Sequence, residues 1–99
     1  MATVRIIDHI QHPSTYEDGQ VIFNLIAKEV RDGNPVEVSF EGLHAVPSAF
    51  INAALLQLVE TVPLRQIFTA LRITHSTKFI NDMINRRFAF VAEQQAKAN

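Results

Sequence analysis

The sequence predicts an α/β domain with the order β-α-β-α-β-α and a mostly parallel sheet covered by helices. Short runs rich in β-branched residues alternate with longer stretches whose apolar residues repeat at helical spacing. Strands that are linked through helices pair in parallel, because each crossover helix must cover the strand pair that it links. A length of 99 residues, 47% of them hydrophobic, supports one core and excludes a three- or four-layer architecture. We therefore expect a single domain over residues 1–92 and a polar tail over residues 93–99.

The first half of the chain supplies a strand and a long helix. Residues 3–7 are mostly β-branched and predict the opening strand. A helix is predicted over residues 15–31, with Ser14 and Glu17 at the spacing of a capping box at its start. Gly19 falls in the first turn of this helix, where glycine costs about 1 kcal/mol relative to alanine. That turn is therefore expected to be irregular or closely packed.

Two strands and two helices make up the rest. Residues 36–40 alternate between apolar and polar side chains, which predicts a strand with one apolar face. Ser48 is the expected N-cap of the next helix, which is apolar over much of its circumference and should be buried on more than one side. The third core strand is predicted over residues 67–74, with a helical turn over 64–68 as the alternative. A last amphipathic helix begins near Thr77, and a hydroxyl from the preceding segment, residues 75–77, is the expected N-cap.

The composition excludes several classes of protein. The chain has no cysteine, which rules out a disulfide framework, a thiolate metal site and a cysteine nucleophile. No apolar stretch approaches the roughly 20 residues that a membrane span needs, and the first residues lack the pattern of a signal peptide. We therefore expect a cytoplasmic protein without a membrane anchor.

Charge is divided unevenly along the chain. Residues 1–50 hold three basic and seven acidic side chains, a net charge of −4, whereas residues 51–99 hold six basic and three acidic ones, a net charge of +3. A nucleic-acid-binding domain normally carries clustered lysine and arginine, and here only Arg86 and Arg87 are adjacent. A nucleic-acid partner is therefore not expected, although a regulator that binds nucleic acid through these two arginines stays as one alternative.

Three segments carry a resemblance to a known family. Residues 36–43 are similar to a strand that ends in an Asp-Phe-x-Gly-Val type sequence, and residues 46–54 are similar to the loop-to-helix pattern that follows that strand. Residues 71–87 look like the last strand, turn and closing helix of the same fold. The sequence thus resembles the STAS-like family, in the grouping called domain of unknown function 4325, which is related to the anti-anti-sigma factors.

The resemblance implies a regulatory protein that is not an enzyme and needs no cofactor. Such a protein would bind a protein partner, of the kinase-type or anti-sigma ATPase class, through the loop and helix at residues 43–56. Phe50 has a second interpretation, since its helical spacing with Ala54 also fits packing into the core. The predicted partner-contact residues are Leu43, His44, Val46, Ser48, Phe50, Ile51 and Asn52.

The same resemblance bears on phosphorylation. In the phosphorylated anti-anti-sigma factors, the corresponding loop carries an Asp-Ser-Ser-Gly type sequence whose second serine accepts the phosphate. That sequence would fall on residues 47–50 here, which places Ala49 at the acceptor position and Pro47 at the acidic one. Ser48 remains as a weak candidate for phosphorylation, with a helix cap as the other interpretation. The usual phosphorylation switch is therefore not expected.

The histidines offer an alternative function. His9 and His12 are the only pair with local ligand-like spacing, and His44 and His75 also follow predicted strands. Loops that follow parallel strands gather at one edge of the sheet, so a small enzyme or module that uses a metal or another ligand through loop histidines stays as an alternative. We expect no metal site and no catalytic residue.

The end of the last helix suggests an interface. Phe88 continues the apolar stripe of this helix, whereas Phe90 falls off it, and together with Val91 they make the helix apolar on two faces. These three residues form the predicted surface of a homodimer.

Overall fold

A computed structural model describes residues 2–97 of the protein. The strands are β1 (Ala2–Arg5), β2 (Val36–Ser39) and β3 (Leu71–Thr74), and the helices are α1 (Tyr16–Arg31), α2 (Ser48–Ala54), α3 (Leu64–Ala70) and α4 (Lys78–Lys97). Two 3₁₀ turns, Ile6–Asp8 and Leu56–Glu60, follow β1 and α2. The predicted α/β class is confirmed, with α3 as one helix more than expected.

The three strands form one parallel sheet in the order β1-β2-β3. Val4 pairs in register with Val38, and Val38 pairs with Ile73. Crossovers between parallel strands are right-handed in nearly all proteins, and both crossovers here advance in the same direction across the sheet. The connecting helices therefore lie on the same face, which agrees with the burial of Val4, Val36 and Val38.

The opposite face of the sheet is polar. Thr3 pairs with Glu37, and Glu37 pairs with Arg72, so their side chains share this face. Glu37 accepts hydrogen bonds from the hydroxyls of Thr3 and Thr74, one on each neighbouring strand. The sheet is therefore packed on one side only, although parallel sheets are usually covered on both.

The capping box of α1 lies one residue later than the sequence predicts. The N–H of Asp18 donates to Thr15 Oγ1 at 3.1 Å, and the N–H of Thr15 donates to Asp18 Oδ2 at 3.2 Å, so Ser14 and Glu17 are not the pair. The N–H of Ser14 donates to the same carboxylate oxygen at 3.0 Å. The Ser14 bond, followed by the Thr15 bond, lowers the pKa of Asp18 from its ordinary value.

Gly19 lets α1 and α2 approach closely. A Cβ atom on Gly19 would lie 2.4 Å from Phe50 O and 2.7 Å from Ala53 Cβ. The first turn of α1 is a regular helix, so of the two expectations for this glycine the close packing is confirmed. Further along α1, Ile22, Ile26 and Val30 continue the same buried face.

The third predicted strand is wrong over its first part. Residues 64–70 are helical, and only residues 71–74 form β3. Ile67 and Ala70 are buried three residues apart whereas Phe68 and Thr69 between them are exposed, which is a helical pattern. The first strand also ends earlier than predicted, because residues 6 and 7 belong to the 3₁₀ turn that follows β1.

The start of α4 follows the prediction. Thr77 Oγ1 accepts from the N–H of Ile80 at 3.2 Å, which confirms the hydroxyl cap. Lys78 pairs with Asp82 one turn later, at 2.9 Å. The helix continues to Lys97, so most of the predicted tail is helical, and residues 98 and 99 lie outside the described part. No helix between residues 2 and 97 combines the length and the apolar character that crossing a membrane requires.

Candidate partner-binding site

The predicted contact loop connects β2 to α2 at the carboxyl ends of the strands. In open α/β sheets this edge is where ligands and partners most often bind. The N–H of Leu43 donates to Phe40 O at 2.9 Å and closes a turn, in which Gly42 has a φ of +83° that favours glycine. Thr77 Oγ1 donates to His44 O at 3.0 Å and fastens the loop to the start of α4.

A second attachment joins this loop to β1. Arg5 Nη2 donates to Glu41 Oε2 at 2.6 Å, and Arg5 Nη1 donates to Asp8 Oδ1 at 3.0 Å. The hydrogen bond with Glu41, the larger cause, raises the pKa of the Arg5 guanidinium. The loop is thus attached to β1 on one side and to the start of α4 on the other.

The predicted contact residues divide into two groups. His44 and Ser48 are exposed, and Leu43 and Asn52 are half-buried. Val46 is 3% exposed, and Phe50 and Ile51 are fully buried. The expectation that Phe50 or Ile51 anchors a partner is therefore wrong, and the core interpretation of Phe50 is confirmed. The reason is that α2 lies against α1 at Gly19 and turns these side chains into the core.

Ser48 does not cap α2, contrary to the sequence prediction. It is the first helical residue, and the N-cap position belongs to Pro47, which has no side-chain hydrogen bond to give. The first backbone bond of the helix runs instead from the N–H of Phe50 to Pro47 O at 3.1 Å. The hydroxyl of Ser48 lies on an exposed residue next to Ala49, which is exposed as well.

Asn52 connects α2 to α4. Arg87 Nε donates to Asn52 Oδ1 at 3.0 Å, which links two residues that are 35 positions apart in the chain. Asn52 therefore holds α4 in place as well as bordering the predicted surface.

An open cleft of about 380 Å³ lies beside the contact loop, between it and the connection from β1 to α1. Sequence reasoning missed this cleft. The sequence indicates a turn at residues 11–14, but it does not indicate which other loop this turn lies against. The lining residues are Ile7, Gln11, His12, Pro13, Ser14, Gly42, Leu43 and Ala45.

A comparison with models of known protein families identifies the family of this chain. A family model described as a STAS-like domain of unknown function (DUF4325) matches residues 18–88. The chain belongs to this STAS-like family. The match runs from the first turn of α1 into α4 and includes the whole contact loop. No curated protein and no solved structure matched the sequence.

The four histidines of this STAS-like domain do not come together as a metal site in the part of the chain that the structure describes. His9, His12, His44 and His75 are all exposed. Within residues 2–97, no three side chains of the histidine, aspartate or glutamate type are placed to hold one ion. His75 is distinctive in another way, because its φ of +52° is a left-handed backbone conformation that non-glycine residues seldom adopt.

Two of the basic residues of α4 bond to partners within the STAS-like domain. Lys78 is paired with Asp82, and Arg87 is bonded to Asn52. Arg86 borders a shallow hollow on the helix surface with Phe79, Asp82 and Asn85.

The three residues predicted for a homodimer do not share one surface. Phe88 is buried, with its ring edge-on to Phe68 at a centroid distance of 5.4 Å, and Val91 is half-buried. Phe90 is 57% exposed and is the only one of the three that a second chain can reach fully. Phe88 therefore belongs to the core, because α4 packs its Ile80 and Ile84 side inward.

Proposed function

We propose that this STAS-like domain is a regulatory module without enzymatic activity, which binds a protein partner through the loop surface, defined as residues 43–45 and 47–49. The observation that carries the proposal is the attachment of an exposed loop at both sides. Thr77 fixes the backbone at His44, and Arg5 fixes Glu41. A loop that is ordered before binding loses less conformational entropy when a partner docks.

The cleft beside the loop surface supports the same function. Its walls combine the apolar side chains of Ile7, Pro13 and Leu43 with the polar ones of His12 and Ser14. Protein interfaces concentrate their binding energy in a few side chains that fill such pockets, most often aromatic residues or arginine. We infer that one anchor side chain of the partner enters this cleft.

The partner that we propose is a kinase-type or anti-sigma ATPase, the class that the relation to anti-anti-sigma factors suggests. Binding would proceed without a phosphorylation switch, since Ala49 occupies the acceptor position. We also propose that the protein works in the cytoplasm and forms a homodimer through α4.

Phe50 packs in the core beneath the loop surface, so we do not expect it to contact the partner. Because it is fully buried, Phe50→Asp would place a charge in the core and unfold the domain, so this variant cannot test binding. A test needs a side chain that is exposed, such as Ala49 at the start of α2.

The test is an affinity capture with the tagged protein, in which Ala49→Arg is compared with the wild type. Ala92→Arg is the matched control, because it adds the same side chain at an exposed position of α4 far along the chain. We expect the wild type and the control to retain an ATP-binding kinase-type protein, identified by mass spectrometry, and Ala49→Arg to lose it. Ser48→Ala should bind like the wild type.

Three results would each overturn one part of this proposal. Equal capture of the ATPase by Ala49→Arg, with an unchanged circular dichroism spectrum, would show that the loop surface is not the contact. Enrichment of no ATP-binding protein by any of the four chains would remove the proposed partner class. Loss of binding in Ser48→Ala alone would restore phosphorylation at Ser48 as the switch.

A further inference from the structure

Helix α4 carries a second apolar face, partly exposed, beside the face that packs into the core. Positions 79, 83, 86 and 90 repeat at intervals of four, three and four, so they lie along one side of the helix. We call Phe79, Met83, Arg86 and Phe90 the outer stripe. Ile80, Ile84 and Phe88 form the buried side of the same helix.

The outer stripe exposes two aromatic side chains on one face of a helix. Phe79 is 54% exposed and Phe90 is 57% exposed, and Met83 is half-buried between them. Apolar surface that is removed from water contributes about 25 cal/mol per Å². Two half-exposed phenylalanines on one helix face are therefore a surface that gains from being covered.

We propose that a second copy of this chain covers the outer stripe, with the two α4 helices antiparallel and a two-fold axis between Ile84 and Asn85. Phe79 and Phe90 are equally far from that axis, as are Met83 and Arg86. At 1.5 Å per residue, each phenylalanine lies about 8 Å along the helix from the axis. Phe79 of one copy therefore meets Phe90 of the other, and the contact occurs twice.

Charge complementarity selects the antiparallel arrangement. Asp82 and Arg86 lie one turn apart on the same flank of the outer stripe, and they border one hollow of about 490 Å³ together with Phe79 and Asn85. In an antiparallel pair, equal flanks of the two helices face each other. Asp82 of one copy then faces Arg86 of the second, and the converse pair forms on the other side of the axis. A parallel pair would put these equal flanks on opposite sides of the interface, so Asp82 and Arg86 would not meet.

Existing contacts leave the outer stripe accessible. The bond from Lys78 to Asp82 is between two exposed side chains and is easily exchanged. Arg87, which does hold α4 to α2, points to the other side of the stripe and takes no part. This inference deepens the self-association in the proposed function, and it is independent of the loop surface.

Sedimentation equilibrium of the full chain tests the dimer. We expect the wild type to approach twice its mass of 11.1 kDa, and Phe90→Asp to weaken the dimer at least about tenfold, since a central aromatic is a typical hot spot. Tyr16→Asp is the control, because Tyr16 is another exposed aromatic, at 47%, but lies on α1. This control should associate like the wild type.

Charge reversal tests the orientation. Asp82→Arg alone and Arg86→Asp alone should each be monomeric, because each opposes like charges at both contacts. When the two variants are mixed, opposite charges meet at both contacts, and we expect a mixed dimer. The double variant Asp82→Arg/Arg86→Asp should dimerise by itself. Circular dichroism of each variant should match that of the wild type.

The outcomes separate this inference from the loop surface. A wild-type mass of one chain at every concentration would overturn the dimer, and single charge-reversal variants that dimerise like the wild type would overturn the antiparallel arrangement. Ala49→Arg should still dimerise, and Phe90→Asp should still capture the ATPase. A failure of either surface is therefore visible on its own.

Discussion

Helices α1 and α4 are the two long helices of this domain, and they use their apolar residues differently. Helix α1 buries one face along its whole length, from Gly19 to Val30, and Gln66 closes its end by donating to Val30 O and Arg31 O at 2.8 Å each. Helix α4 buries a face only as far as Phe88, and its last turns are largely exposed. Helix α1 also exposes apolar side chains, Val21 and Leu25, at 43% each, so the two helices differ in how far the buried face extends rather than in having an exposed one.

The largest effect should come from filling the contact at Gly19. Gly19→Val would force side-chain carbons against Phe50 O and Ala53 Cβ, and we expect a loss of about 3 kcal/mol in the free energy of unfolding. Ala89→Val is the comparison on α4, where the exposed position should lose only about 0.6 kcal/mol through helix propensity. Urea denaturation of both variants measures the difference. Equal losses would mean that the two helices are packed alike.

A smaller effect is expected from the cap of α1. Thr15→Ala removes the acceptor for the N–H of Asp18 and should cost about 1 kcal/mol in the free energy of unfolding. Thr15→Ser keeps the hydroxyl and should recover most of that loss. The measurement is again the denaturation midpoint, at constant slope. If Thr15→Ser were as unstable as Thr15→Ala, the methyl group and not the hydrogen bond would be responsible.

The smallest expected effect is a pH dependence of Tm. We expect it for the capping box of α1, which contains Asp18, and not for the Thr77 cap of α4. The pKa of Asp18 in the folded chain is held below its ordinary value of 3.8 by the N–H groups of Ser14 and then Thr15. The carboxylate therefore stabilises the fold above pH 3.8, and this stabilisation is lost as the pH falls through the folded pKa. We expect the difference in Tm between the wild type and Asp18→Asn to shrink over that range.

Helix α4 supplies the control for this pH dependence. Its cap is the hydroxyl of Thr77, which does not titrate. The difference in Tm between the wild type and Thr77→Ala should therefore stay constant over the same pH range. A parallel decline for both variants would point to a general acid effect rather than to Asp18.

Local patterns in the sequence predicted most of the secondary structure. The predicted helix at 15–31 differs from α1 by one residue, and the predicted strand at 36–40 differs from β2 by one. The expected hydroxyl cap of the last helix is also present, and Thr77 supplies it. These features depend on neighbours within a turn or two, so a single sequence contains them. The segment at 64–74 failed because its apolar residues fit a helix and a strand equally well.

The candidate site rests on the family resemblance, and the structure changes which of its side chains can reach a partner. The resemblance placed the partner-binding loop and helix at residues 43–56, and the family match spans that segment. Which of its side chains reach the surface depended on the close approach of α1 and α2 at Gly19, which buries Phe50 and Ile51. The cleft beside Leu43 depends on a loop about 30 residues earlier in the chain. Neither the approach of α1 to α2 nor the position of the cleft can be recognised from residues that are neighbours in the sequence.

The sequence by itself determined the α/β class, the family, the alternation of strands and helices and the two apolar faces of α4, because periodicity and turn chemistry are local properties. The tertiary structure decided which face of each helix is covered, which is why Phe88 is core and Phe90 is not. It also decided that all crossover helices share one side of the sheet. Burial depends on what lies against a residue, and that is fixed only when distant segments of the chain pack together.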